Sequence, residues 1–149
     1  MDVDIEVDVT QPNYNCCFYS SFIFLVNSIV AFYFGYMFYS IIFFILVITS
    51  LIFHSTCNIY SMIIDKIAIL MVVFYGGYLF YTKCLRPIDF KQMLYMIAII
   101  STFLTTVYFY YFGFLNKKYC FCEDKQIANL YHSFLHGVSC IGHLLIVFM

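Results

Sequence analysis

Five polar side chains stand out in an otherwise oily chain: Ser50, His54, Asp65, His132 and His136. His132 and His136 are four positions apart, so on a helix they lie about 40° apart around the axis and one turn along it. Both imidazoles can then reach one ion. The pair is similar in spacing to a His-Glu-x-x-His zinc site, but position 133 is Ser, so no base is built in. His54 can supply a third ligand. Three histidines with an open fourth position make a catalytic zinc arrangement rather than a structural one. Such an ion lowers the pKa of water to about 7, and a hydrolase then needs a base nearby. Asp65 is the acid placed to serve, and the charge of the ion would keep it ionised despite burial. Ser50 lies one turn before His54 on the same helix face, where it can hydrogen-bond to the water or polarise a scissile carbonyl. His143 falls near the same stripe as His132 but about 16 Å along the helix, too deep for the same ion. It reads as a buried, hydrogen-bonded histidine.

The elements that must hold these residues are membrane spans. Of 149 residues, 64% are hydrophobic and 10% charged, where a soluble domain has about 25% charged. Mean hydropathy is +0.93. Net charge is −1 with no basic stripe, which gives nucleic-acid binding no support. Apolar segments at about 17–34, 36–53, 60–81, 93–115 and 127–148 each approach the ~20 residues that cross a bilayer. The expectation is one all-α transmembrane bundle of five spans over residues 1–149, with an acidic tail at 1–15. That tail starts Met-Asp-Val-Asp, not with the basic stretch of a signal peptide, so the first span is expected to act as its own insertion signal. Gly35 marks a tight break. Polar loops are expected at 54–59, 83–92 and 116–126, with Pro87 barring helix in the second.

Counting sides through these spans puts all five polar residues at similar depth near one face. An ionisable group near the bilayer centre costs about 2.5–3.5 kcal/mol or more, so such a cluster points to a function. Taken singly, each residue has a plainer reading. Serine back-bonds routinely in membrane helices. Asp65 beside Lys66 can be an interfacial ion pair, and the Tyr and Phe stripes are packing and interface anchors. Only the joint arrangement favours a metal. Rival readings are a non-enzymatic receptor-like or scaffold bundle keeping a structural zinc, and a bis-histidine haem bundle using His54 with His132 or His136. Haem would leave Ser50 and Asp65 without a task. Cys16, Cys17, Cys57, Cys120 and Cys122 also gather near the site-bearing face. They suit either disulfides in an oxidising lumen or packed thiols.

At these residues the chain resembles the alkaline ceramidases and the wider membrane hydrolase superfamily that includes the adiponectin-type receptors. The family stretch Gly-Ser-x-x-Phe-His-x-Thr is similar to Thr49-Ser50-Leu51-Ile52-Phe53-His54-Ser55-Thr56, with Asp65 at the expected interval. The late His-x-x-x-His motif and its glycine resemble His132 to His136 and Gly142. The resemblance implies one catalytic zinc on His54, His132 and His136, with Asp65 and Ser50 assisting attack of water on an amide. It implies a ceramide-like membrane lipid as substrate, cleaved to a sphingoid base and a fatty acid. It also implies a lumenal N-terminus in an endoplasmic-reticulum or Golgi-type membrane, in agreement with the cysteines. Family members usually have seven spans where five are expected here. The family's N-terminal calcium (Ca2+) pattern is matched poorly by Asp8 and the other early acids. Thr49 replaces a glycine, and Lys66 stands where ceramidases often have Glu.

Overall fold

The computed structural model describes residues 16–56 and 58–149. The acidic tail, the early acids including Asp8, and Cys57 lie outside the described residues, as does the side chain of Cys16. The described chain is all-α, with helices α1 (Cys16–Ser21), α2 (Ile23–Tyr33), α3 (Met37–Thr56), α4 (Ile59–Cys84), α5 (Phe90–Val107), α6 (Gly113–Asn116) and α7 (Lys125–Phe148). A π turn at Tyr108–Phe112 joins α5 to α6, and a 3-10 turn at Tyr119–Phe121 follows.

Four helical segments among the described residues are long and apolar enough to cross a membrane: Met37–Thr56, Ile59–Cys84, Phe90–Phe121 and Lys125–Phe148. The expected first span is different. Cys17–Tyr33 is a shorter apolar helix, and it tightens at Phe22, whose amide bonds back only three residues to the carbonyl of Tyr19 at 3.2 Å. The chain then turns at Gly35, whose φ of +82° suits a residue without Cβ.

The loops are shorter than the apolar runs suggest because caps extend the helices. Asn58 caps α4 by accepting the Tyr60 amide at 2.9 Å. Asp89 and Gln92 form a reciprocal capping box that starts α5 at Phe90. Asp124 caps α7. The polar segments expected at 83–92 and 116–126 therefore contract around short turns.

Side chains are distributed inside out relative to a water-soluble fold. Ile29, Phe74, Phe90 and many other large apolar residues are exposed, whereas Ser21, Asn27, Ser28, Ser50, Asp65 and His136 are buried. Small and polar residues at helix interfaces are the packing pattern of membrane helices, where the lipid solvates the apolar exterior. The stripe Cys17, Ser21, Phe24, Ser28 and Ala31 turns one face of α1 and α2 inward. The α4 stripe is Ser61, Asp65, Ala68, Val72, Gly76 and Leu79. Helix α7 packs against α1, α2 and α5 and touches α4 more sparingly. These packings bring the first and last helices of the described chain together, which places the late histidines beside His54.

Candidate metal centre

His54 is in the last turn of α3, and His132 and His136 occupy successive turns near the start of α7. One ring nitrogen from each of the three lies within 4.8 Å of the others. Ring centres are 5.2 Å apart for His54 and His132, 4.9 Å for His132 and His136, and 5.6 Å for His54 and His136. The His132 and His136 planes stand at 90° to one another, so the rings converge edge to face rather than stacking flat. Nitrogens at the corners of a tetrahedral zinc site lie about 3.3 Å apart, given Zn–N bonds of about 2.0–2.1 Å. The three ring nitrogens, within 4.8 Å of one another, would have to draw closer to reach that spacing. The donor set is neutral and all nitrogen, which fits zinc and leaves room for a fourth ligand.

Two interactions fix His136 in place. Its ring packs on Phe24, with centres 5.2 Å apart. Its Nδ1 lies 2.8 Å from the Ser20 hydroxyl on α1. His136 is 8% exposed, so both contacts form in a nearly dry interior.

Ser50 and Asp65 are also buried, but neither belongs to the histidine cluster itself. Ser50 Oγ lies 3.0 Å from Ser21 Oγ. Ser21 in turn donates to the Cys17 carbonyl at 2.7 Å. A hydroxyl has one hydrogen. With that of Ser21 committed to Cys17, Ser50 is the donor between the two serines, and its own lone pairs remain for another donor. Asp65 is 3% exposed, and its Oδ1 accepts from the Thr49 hydroxyl at 3.3 Å. Thr49 thus serves the acid from the position next to Ser50. Lys66 lifts its ammonium over the Tyr110 ring, 5.1 Å from the centre, on the π turn.

Ser20, Ser21 and Thr49 were not among the residues singled out by spacing. A signal existed for the first two: Ser20 and Asn27, and Ser21 and Ser28, form a seven-residue polar repeat in an apolar segment. His143 is apart from the cluster as expected, bonded through Nδ1 to the Tyr39 hydroxyl.

Among the described residues Cys84, Cys120, Cys122 and Cys140 are free thiols, so the disulfide reading does not hold for Cys120 and Cys122. Cys17 is buried and donates to the Asn129 carbonyl at 3.3 Å. Cys140 lies 2.6 Å from Asn27 Oδ1. Both act as packed polar groups between the first and last helices.

Deeper than the histidines, a cleft of about 410 Å³ opens between α4, α5 and α7. Val73, Gly77, Phe103 and Ile146 line it, with His143 and Thr102 among its few polar groups. Comparison of the chain with protein-family models, curated proteins and solved structures gave no match.

Proposed function

We propose that the protein is a zinc-dependent integral-membrane hydrolase that cleaves the amide bond of a ceramide-like lipid. The convergence of His54, His132 and His136 from two distant helices carries this reading. The resemblance of the Ser50–His54–Asp65 and His132–His136 stretches to the ceramidase-like hydrolases supports the amide chemistry. The cleft supports a lipid substrate, since its volume lies within the range of small-molecule pockets and its walls are apolar.

Zinc held by the three imidazoles would supply Lewis acidity for polarising a carbonyl and acidifying water. The remaining work falls to the chain's own groups. Asp65 takes the proton from the attacking water and delivers it to the leaving amine nitrogen. Thr49 orients the carboxylate for that transfer through its bond to Oδ1. Ser50, already donating to Ser21, holds the water by accepting a hydrogen bond from it. The acyl chain runs along α7 into the cleft, where exclusion of bulk water favours the charged steps near the histidines.

The test is turnover of a ceramide in vesicles by purified protein, before and after removal of metal with a chelator. Hydrolysis that stops on chelation and returns with zinc supports the reading. No release of fatty acid from amide or ester lipids by zinc-loaded protein would overturn it.

A further inference from the structure

The Ser20 hydroxyl has two neighbours. It donates to the Cys17 carbonyl at 3.1 Å, one turn back on α1, and it lies 2.8 Å from His136 Nδ1. Serine carries one hydrogen and two lone pairs. With the hydrogen directed at Cys17, the bond to His136 requires Nδ1–H to donate and Ser20 Oγ to accept. The imidazole then carries its proton on Nδ1, and Nε2 keeps the lone pair that a metal needs. We propose that Ser20 is a positioning residue that selects this tautomer of His136 and so presents Nε2 to the ion. The proposal rests on the zinc reading for its purpose but not for its geometry.

The anchor for Ser20 is firm. Its neighbour Ser21 is fully buried and shares the same Cys17 carbonyl. Ser21 also ties α1 to α3 through Ser50. Cys17 itself joins α1 to α7 at Asn129. The short helix α1 is therefore clamped between the helices that carry the three histidines. Partners that hold the second nitrogen of a ligating histidine change metal affinity by about 10–100-fold when removed.

The experiment uses the full chain labelled with 15N-histidine, in lipid nanodiscs, without metal. Ring-nitrogen shifts distinguish protonated from bare nitrogen, and the His136 signal is assigned by its loss in His136→Gln. The expected result is Nδ1–H in the wild type, a mixture of tautomers in Ser20→Ala, and return to Nδ1–H in Ser20→Thr. Zinc affinity, measured by competition with a chromophoric chelator, should fall about 10–100-fold in Ser20→Ala and recover in Ser20→Thr. A wild-type ring protonated on Nε2 overturns the proposal, and this holds even if Ser20→Ala does not fold. So does a folded Ser20→Ala that keeps the wild-type tautomer or zinc affinity. If the tautomers behave as expected but no variant binds zinc, the role of Ser20 stands and the zinc reading alone falls.

Discussion

Thr49 shares its one hydroxyl hydrogen between the Leu46 carbonyl at 3.1 Å and Asp65 Oδ1 at 3.3 Å, joining α3 to α4 directly beside Ser50. The resemblance puts glycine at this position, which could make no such bond. In this chain the acid is held by a side chain, and both partners are buried. On the proposed mechanism Asp65 moves the proton, so Asp65→Asn should reduce turnover by about 10²–10⁴-fold. Zinc content should not change, because Asp65 is outside the histidine cluster. Thr49→Val should give a smaller loss with zinc retained. Activity and metal content measured on the same preparations check both.

The deep cleft offers a test of substrate size. A Cβ added at Gly77 meets nothing within 4 Å, and Gly77 lines the cleft. Gly77→Leu should therefore fill the cleft without disturbing the fold. Turnover of long-chain ceramides should fall relative to short-chain ones, with zinc binding unchanged. Equal loss across chain lengths would place the acyl chain elsewhere.

Helix packing around the unused histidine is tight. A Cβ on Gly76 would stand 2.6 Å from the Tyr39 hydroxyl and 2.9 Å from His143 Nδ1. Gly76→Ala should destabilise the bundle by about 1–3 kcal/mol, the usual cost of overpacking. Adding Tyr39→Phe removes the nearer clash and should recover part of that loss. Unfolding in mixed detergent micelles gives the comparison.

Much of this architecture was legible in the sequence because long apolar runs have few alternatives to helix in a membrane. The four-residue spacing of His132 and His136 placed both on one face, and counting sides put His54 at their level. Pro87 and Gly35 marked real turns. The rest depended on contacts across the fold. The segment at about 17–34 looked like a span, yet the structure gives Cys17–Tyr33, an apolar helix shorter than the four long ones and tightened at Phe22. Ser20 and Ser21 looked like ordinary back-bonding serines, and they do bond to Cys17. Their second partners, His136 and Ser50, are remote in sequence, and no local pattern could name them. Clustered cysteines suggested disulfides, but for Cys120 and Cys122 a shared location near one face does not bring sulfur atoms into bonding geometry.

A buried polar clamp links the short helix α2 to α7. Asn27 donates from Nδ2 to the Cys140 carbonyl at 3.1 Å and accepts from the Cys140 thiol. Asn27→Ala should cost about 0.6–1.7 kcal/mol, from the average to the largest value for hydrogen bonds between membrane helices. Because α2 packs on α7, the same change should loosen the histidine cluster modestly and lower zinc affinity less than Ser20→Ala does. Stability and chelator competition on one sample separate the two effects.

The central claim is that three imidazoles brought together by α3 and α7 hold a zinc ion. Metal analysis of the purified wild-type protein beside His136→Ala tests it most directly. The account predicts one zinc per chain in the wild type and essentially none in the variant, with both proteins retaining helical spectra. A folded wild-type protein that carries no zinc after exposure to the ion, or a His136→Ala variant that binds it equally well, would contradict it.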